Sequence, residues 1–263
     1  MPEPGARVPF RARGFAPRDF PSAGAATLVL LLALWQVAAW RGWMSTTFLS
    51  APLDIARAIV ALARSGELWA HFDASLWRLV VGWLAGTLAG LLVGFAVGLF
   101  SVVRSPGMAV VSALFPIPKI ALVPLFIIWF GIGEGSKLVT LGFGVFFPTV
   151  IATVAGVDGV PRGLIRMGQS FGLPWGSIVR KIVLPGALPA ILAGFRITTS
   201  TAIILLVAAE MIGAEKGIGA FVLSAGNLYD VDNLMAGIVL LSAIGLAVAW
   251  LIGRLERVLL AWR

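Results

Sequence analysis

The sequence predicts an all-α membrane protein with six transmembrane helices, from its composition and the spacing of its apolar segments. The chain of 263 residues is 59% hydrophobic and 12% charged, with a mean hydropathy of +0.99. Soluble domains contain about 25% charged residues, so no soluble domain of ordinary size fits beside the spans. A transmembrane helix needs about 20 apolar residues. Six segments meet this requirement: 24–41, 76–100, 108–130, 137–156, 188–212 and 234–253.

The distribution of basic residues predicts the orientation of these spans. Twelve lysines and arginines lie in the two termini, at Arg104 and in the connection 157–187, whereas five lie in the segments of the other side. By the positive-inside rule, both termini and the connection 157–187 are cytoplasmic. The same rule explains the net charge of +8 without a nucleic-acid partner.

The N-terminal segment 1–23 contains five prolines and four arginines. This composition predicts a disordered cytoplasmic tail that lies against anionic membrane lipid. The remaining residues, 24–263, are then a single transmembrane domain.

Several function classes are excluded or disfavoured by residue type. Cysteine is absent and His71 is the one histidine, which excludes disulfides, thiolate metal sites and multi-histidine metal centres. An enzyme built on Glu210 with Asp158 or Asp230 lacks a paired-carboxylate spacing. The glycine-rich segment 131–138 departs from G-x-x-x-x-G-K-[ST], which indicates a turn between spans. We therefore expect neither a metal site nor catalysis in this chain.

The first two spans are joined by a segment with a helix of its own. Ser50 and Pro52 suit the start of this helix, which either lies at the membrane interface or packs on the spans. The second span carries a glycine at every fourth position, and small residues at this spacing let two helices approach closely. These glycines are Gly82, Gly86, Gly90, Gly94 and Gly98. Their partner helix belongs either to this chain or to a second copy.

Prolines interrupt the third span at Pro116, Pro118 and Pro124. Each interior proline removes a backbone donor and bends the helix. Broken helices at membrane depth are tolerated where they are buried in protein or line a cavity. The third span therefore either borders a transport path or is a kinked structural helix.

Lys119 and Glu210 lie inside spans, where a charge costs about 2.5–3.5 kcal/mol on translocon scales. Each is expected to face a cavity or a partner, and they could pair with each other. Arg78 and Arg196 lie nearer span ends and are expected to reach the interface. The hydroxyls of 198–201 either bond to their own helix or line a polar path. The candidates for a translocation path are Lys119, Trp129, Thr198, Ser200, Thr201 and Glu210.

The connection 157–187 is much longer than the usual 4–6 residues. A short helix is expected from Pro161 to residue 171, with a break at Gly172. Pro174 begins a second helix that runs to about Ile182, and Pro185 ends it before the fifth span. Two short, stiffly connected helices could transmit a push from a soluble partner.

The connection also resembles a known family. Gly172, nine further residues and Ile182-Val183-Leu184-Pro185 match the G-x9-I-x-L-P core of the permease loop of ABC importers. Further matches lie at residues 124–125, 129–133, 185–189, 194–196, 209–210 and 217–219. Over roughly residues 50–260, the chain resembles permease subunits of the nitrate, sulfonate and taurine type.

This resemblance implies a type I ABC importer permease fold in the bacterial inner membrane. It also implies a second permease copy, two ATP-binding subunits that hold ATP and Mg²⁺, and a periplasmic or lipid-anchored solute-binding protein. The connection would be the coupling helix, and its coupling residues would be Arg162, Arg166, Gly168, Ser170, Phe171, Gly172, Leu173, Pro174 and Trp175. Arg166-Met167-Gly168 stands where the family has E-A-A, which reverses the sign of one expected contact.

The expected function is inward transport of a small, anionic organic or inorganic solute by alternating access. The alternative is a stand-alone secondary transporter or channel, in which Lys119 and Glu210 would be the ion-coupling groups.

Overall fold

The computed structural model describes residues 21–45 and 48–262, so the predicted tail lies outside the described residues as far as residue 20. The α-helices are α1 (Pro21–Trp40), α2 (Pro52–Ser65), α3 (Glu67–Leu99), α4 (Ser101–Leu114), α5 (Val123–Phe130), α6 (Glu134–Asp158), α7 (Arg162–Ser170), α8 (Trp175–Ile178), α9 (Leu184–Gly213), α10 (Ile218–Asn227) and α11 (Val231–Leu259). A 3-10 turn (Lys119–Leu122) precedes α5, and a π turn (Val179–Val183) joins α8 to α9. These ranges contain no β-strand.

The prediction of six spans is confirmed, with one of them bent. Five helical stretches among the described residues are long and apolar enough to cross a membrane: α1, α3, α6, the continuous stretch from α8 to α9, and α11. The third span is the pair formed by α4 and the 119–130 helix, which meet at an angle of 85°. Pro116 and Pro118 lie in the break between them. Pro124 lies in the first turn of α5, where a missing N–H costs little.

Two compact units divide the chain between Ala56 and Arg57. In the first unit, the Leu53 N–H donates to Gln36 Oε1 at 3.0 Å. Helix α2 begins at Pro52, so the predicted helix start is confirmed. The second unit contains α3 to α11, where the core lies.

The glycine stripe of α3 packs against α6 of the same chain. A Cβ added at Gly86 would lie 2.3 Å from the carbonyl oxygen of Gly142, and one added at Gly94 would lie 2.6 Å from the Cβ of Thr153. The remaining stripe positions face Leu141, Thr149 and Val157 of α6 in the same way. The sequence did not show which helix packs against these glycines, and the structure identifies it as α6.

Helix α6 is the centre of the second unit, with α3 on one side and α9 on the other. Close contact with α9 again depends on glycine, because a Cβ at Gly156 would lie 2.8 Å from the Ala187 carbonyl oxygen. The three buried threonines of α6 donate to backbone oxygens four residues earlier at 2.7–2.8 Å: Thr140, Thr149 and Thr153. Their hydroxyls therefore need no partner on a neighbouring helix.

The predicted end of a helix at Pro185 is wrong. The helix that begins at Trp175 passes through the π turn and continues to Gly213. Proline disrupts a helix by its missing donor and its ring, but here it occupies the first turn of α9. The Leu184 N–H instead reaches back five residues to the Val179 carbonyl. This wider turn accommodates Pro185 without ending the helix.

Helix α10 was not predicted, because ten residues fall short of a span. It packs against α11, where a Cβ at Gly237 would lie 2.5 Å from Val222 Cγ2. Its first residues face the end of α9, which places them at the ion-pair network described below.

Replacing Gly86 with valine is expected to destabilise the protein, because the new side chain would meet the backbone of α6. Overpacking of this kind typically costs about 1–3 kcal/mol. Thermal unfolding in detergent would show the loss as a lower midpoint temperature. Ala85→Val, on an exposed face of α3, is the matched control. Equal midpoints for the two variants would contradict a tight α3–α6 contact.

Candidate functional site

The connection between α6 and α9 folds into a compact helical projection. Helix α7 ends in a Schellman motif, in which the Gly172 N–H donates to Gln169 O at 2.9 Å and the Leu173 N–H to Gly168 O at 3.0 Å. Gly172 has a φ of +70°, the left-handed conformation that this motif requires and glycine adopts at little cost. The predicted break at Gly172 is therefore confirmed.

A small core attaches the projection to the ends of the spans. Val160, Ile178 and Val183 are buried together, and Leu99 at the end of α3 packs against them. The rings of Phe100 and Trp175 lie 5.6 Å apart. Displacement of the projection must therefore move these helix ends with it.

Arg104 of α4 and Asp158 at the end of α6 form a two-pronged ion pair beside this core. The Arg104 nitrogens Nη1 and Nη2 donate to the two carboxylate oxygens at 2.9 and 2.6 Å. Both side chains are partly exposed.

The predicted coupling residues divide into an exposed and an inward-facing group. Arg162, Arg166, Ser170, Phe171, Gly172, Pro174 and Trp175 are exposed. Gly168 is buried and Leu173 is half-buried. A Cβ at Gly168 would lie 3.0 Å from Ile182 Cδ1 and 3.5 Å from Leu173 Cδ1. These two residues thus pack the projection internally, whereas the other predicted coupling residues are available at its surface.

The structure adds two exposed apolar residues that the sequence analysis did not single out. Leu164 and Met167 are 45% and 52% exposed, and Phe171 nearby is 78% exposed. Their spacing of three and four residues places them on one side of α7. We call Leu164, Met167 and Phe171 the apolar stripe. The i, i+3, i+7 spacing of these three residues was the sequence signal for the apolar stripe, but the basic residues between them obscured it.

A buried ion-pair network lies at the opposite end of α9, with Arg78 at its centre. Arg78 Nε and Nη2 donate to both carboxylate oxygens of Glu134 at 2.7 and 2.6 Å. Nη1 donates to Glu210 Oε1 at 2.8 Å and to the Lys216 carbonyl at 2.6 Å. One guanidinium thereby joins α3, α6, α9 and the turn after α9.

The Glu210 carboxylate is enclosed by the chain that leads into α10. Its Oε2 accepts from the Gly219 N–H at 2.8 Å, and the Ser75 hydroxyl lies 2.8 and 2.9 Å from the two oxygens. A Cβ at Gly217 would lie 2.4 Å from the carboxyl carbon. Glycine is therefore required at this position, both for space and for its φ of +137°.

The structure shows the partners of the charges that the sequence places at or near membrane depth. Glu210 is 1% exposed and fully engaged in the network, so it does not line an open path. Arg78 is 4% exposed, and its guanidinium binds the buried Glu210 and the half-exposed Glu134 instead of extending freely into solvent. Among the described residues, Lys119 and Glu210 form no ion pair with each other.

Lys119 lies at the break of the third span and has an unusual environment for a cation. Its Nζ donates to the Phe115 carbonyl. It also lies 4.9 Å from the centre of the Phe115 ring and 5.6 Å from that of Phe147. Aromatic faces attract cations but do not neutralise them. No carboxylate pairs with Lys119 in the described part of the chain.

The hydroxyls predicted for a polar path bond to their own helix. Thr198, Ser200 and Thr201 donate to backbone oxygens three or four residues earlier at 3.0–3.2 Å. Thr198 is fully buried and also accepts from Trp83 Nε1 at 3.1 Å, so it does not line a path. Trp129 is 63% exposed. The structure thus does not bring the six path candidates together in one cavity.

The residues described contain no group of three or more His, Cys, Asp or Glu side chains that could hold a metal ion. A bent, glycine-packed bundle of spans with a stiff helical projection is the architecture of the membrane-spanning subunit of a transporter.

The family is shown by sequence comparison. Residues 86–260 match the family of binding-protein-dependent transport system inner membrane components, and the chain belongs to it. It is an ABC importer permease of the bacterial inner membrane. Permeases of this class associate with ATP-binding subunits and a substrate-binding protein. The alternative of a stand-alone secondary transporter or channel finds no support.

Named relatives agree with this assignment. The aliphatic sulfonates transport permease protein SsuC of Escherichia coli (strain K12) is 38% identical over 88% of this chain and 88% of that protein. The taurine transport system permease protein TauC of the same organism is 36% identical over 90% and 88%. The riboflavin transport system permease protein RibX of Chloroflexus aurantiacus is 33% identical over 98% and 97%.

Solved structures confirm the type I fold. A chain of the MetNI methionine ABC transporter, in an inward-facing conformation, has a TM-score of 0.62 at 22% identity, over 74% of this chain and 98% of that chain. A chain of an amino acid ABC transporter with histidines has a TM-score of 0.57 at 14% identity, over 76% and 96%.

Replacing Arg78 with methionine should strongly destabilise the protein, because Glu210 would remain buried without its cation. Breaking a buried pair from one side costs about 3–5 kcal/mol. The double variant Arg78→Met/Glu210→Met should recover much of this loss, with a coupling energy of about 0.5–3 kcal/mol in a double-mutant cycle. Unfolding midpoints of the four proteins supply the measurement. The exposed pair gives the control, since Arg104→Met should shift the midpoint far less; additive effects of the two network substitutions would contradict direct coupling.

Proposed function

We propose that this permease imports a small organic anion of the sulfonate class, driven by ATP hydrolysis on separate subunits. The observation that carries the solute class is Lys119, a cation at the break of a transmembrane helix that pairs with no carboxylate of the described residues. The relatives named for aliphatic sulfonates and taurine support the same class, because both kinds of solute carry a sulfonate group.

The proposed assembly contains two copies of this chain, two ATP-binding subunits and a periplasmic or lipid-anchored solute-binding protein. ATP and Mg²⁺ bind to the ATP-binding subunits, since this chain lacks a phosphate-binding loop of the G-x-x-x-x-G-K-[ST] form. Both termini and the projection face the cytoplasm, where the excess of lysine and arginine lies. Membrane lipid surrounds the spans.

The projection is proposed to be the coupling element. Its apolar stripe would enter a groove of the ATP-binding subunit, and Arg162 and Arg166 on the same short helix would contact acidic residues there. Because α8 continues into α9 without a loop, displacement of the projection moves the fifth span directly. ATP must bind the two permease states with different affinities, since a ligand with equal affinity shifts neither state.

In this proposal, Lys119 contacts the anionic group of the solute, and Trp129, Ser200 and Thr201 border its path. Glu210 and Thr198 position the helices instead, because both are buried and hydrogen-bonded.

The function is tested by ATPase activity in nanodiscs that contain this chain with candidate ATP-binding subunits. Stable co-purification and hydrolysis stimulated by a taurine- or alkanesulfonate-loaded binding protein are expected. Failure to assemble with any ATP-binding subunit, while the folded chain transports alone, would overturn the proposal.

Replacing Gly172 with lysine should uncouple ATP hydrolysis from uptake. The left-handed conformation costs a residue with a side chain about 1–2 kcal/mol, so the turn should change shape. No atom of the described residues lies within 4 Å of the added Cβ, so the complex should still assemble. The number of solute molecules imported per ATP, measured in proteoliposomes, should fall. Gly163→Lys is the control, because Gly163 is equally open but lacks a positive φ. An unchanged transport ratio in Gly172→Lys would count against the coupling role.

Replacing Lys119 with glutamine should lower uptake of an anionic solute about tenfold or more, since a hydrogen bond to a charged group contributes about 1.5–3 kcal/mol. Uptake of labelled taurine or alkanesulfonate in proteoliposomes measures this effect. Lys119→Arg retains the charge and should retain much of the uptake. Equal losses in both variants, with stimulated ATPase activity intact, would show that packing rather than charge matters at this position.

A further inference from the structure

A cleft of about 590 Å³ runs between α9 and α11. Its volume falls within the range of about 300–1,000 Å³ that is typical of small-molecule sites. The walls are largely apolar and come from one face of each helix. Arg196 lies at one end, and Ile203, Ile204, Leu241 and Ile252 form the sides.

Polar groups lie along the length of this cleft. Ser200 lies one turn after Arg196 on α9. Ser242 of α11 lies towards the other end, because Gly253 approaches Arg196 and Gly245 approaches Ile203. Thr199 also borders the cleft, and its buried hydroxyl has no hydrogen-bond partner among the described residues. Such a hydroxyl can donate to a ligand atom that reaches it, which would remove the cost of leaving it unpaired.

Arg196 is held on one side only. Its Nη2 lies 2.5 Å from Glu256 Oε2, and its side chain is 58% exposed. A guanidinium has five N–H donors in a planar fork. The contact with Glu256 engages one nitrogen, and the remaining donors of Arg196 stay accessible to an anion in the cleft.

A second cleft, of about 510 Å³, begins at Arg196 and passes Glu256 and Arg257 at the end of α11. Arg196 therefore lies where the apolar cleft meets a charged one. By the proposed orientation, the charged cleft leads towards the cytoplasm.

We infer that the α9–α11 cleft is a solute site of the permease itself, built for an anion with an apolar chain. The sulfonate group would bind Arg196, Thr199 and Ser200 here, at a point of the path separate from its contact with Lys119, which does not line this cleft. The chain would extend along Ile203 and Leu241 for about 12 Å, which is the rise of eight helical residues. This inference rests on the proposed import of organic sulfonates and adds the place where the permease holds them.

Glu256 has a defined part in this site. It competes with the sulfonate group for Arg196, so the anion is held weakly enough to leave through the charged cleft. A transport site must release its solute, and an internal competing carboxylate provides that release.

The test is direct binding of labelled hexanesulfonate to the complete complex in nanodiscs, without the binding protein. Arg196→Gln should weaken binding about tenfold or more, because it removes a charge-assisted hydrogen bond. Glu256→Gln should strengthen binding by up to about fivefold, as expected for release from a partly exposed ion pair. In wild type, each added methylene should strengthen binding about fourfold until the cleft is full.

Gly245 offers a second variant that leaves every charge in place. Among the described residues, a Cβ at Gly245 meets one atom within 4 Å, Ile203 Cδ1 at 3.7 Å, which is an ordinary contact. We therefore expect Gly245→Leu to be accommodated by the helix and to fill the cleft. It should weaken hexanesulfonate binding at least as much as Arg196→Gln does. Ala247→Leu adds a similar volume on an exposed part of α11 outside the cleft and should leave binding unchanged.

Two results would overturn the inference. The first is wild-type affinity in both Arg196→Gln and Gly245→Leu. The second is a co-purified phospholipid, detected by native mass spectrometry, that depends on Arg196 and that hexanesulfonate does not displace. ATPase activity of the same variants, stimulated by adding the loaded binding protein in a separate measurement, separates the two proposals, because it must persist in Gly245→Leu if only the solute site fails. Its absence in wild type would instead contradict the proposed function.

Discussion

A buried guanidinium is the constraint on which the rest of this structure depends. Arg78 lies in a transmembrane helix, and an unpaired charge there would cost several kcal/mol. Two carboxylates and a backbone carbonyl bind it, and they come from α6, α9 and the turn after α9. Satisfying one side chain thereby fixes the relative positions of three spans. Gly217 and Gly219 complete the arrangement, since a larger residue at either position would collide with the Glu210 side chain.

Within the second unit, the contact that the glycine stripe of α3 makes with α6 is tighter than the contact between α9 and α11. Where α3 meets α6, backbone lies against backbone at Gly86 and Gly142, and such a contact has little freedom to slide. The contact between α9 and α11 is looser and leaves a cleft of about 590 Å³. We therefore expect the rearrangement between transport states at the α9–α11 contact and at the 85° break of the third span.

Features that depend on local chemistry could be predicted from the sequence, and features that depend on distant contacts could not. The break at Gly172, the bend at the prolines of the third span and the start of α2 follow from the conformations of glycine and proline. The Arg78 network could not be foreseen, because its partners lie 56 and 132 residues away. The sequence shows a cation and two carboxylates at span ends, but it does not show how the helices align to bring them together. The predicted helix end at Pro185 was wrong because the π turn accommodates the proline, and this backbone adjustment has no sequence signature.

The continuous helix from Trp175 to Gly213 has a further consequence. Its 39 residues correspond to about 58 Å at 1.5 Å per residue, almost twice the roughly 30 Å of hydrocarbon in a bilayer. One rod thus joins the projection to the Arg78 network. Linkage between two binding sites is reciprocal. If nucleotide binding at one end of this helix alters the network at the other, then a ligand that binds at the network end must alter nucleotide affinity by the same factor. Coupling along this helix would then act equally strongly in both directions, from the ATP-binding subunits to the network and from the network to the ATP-binding subunits.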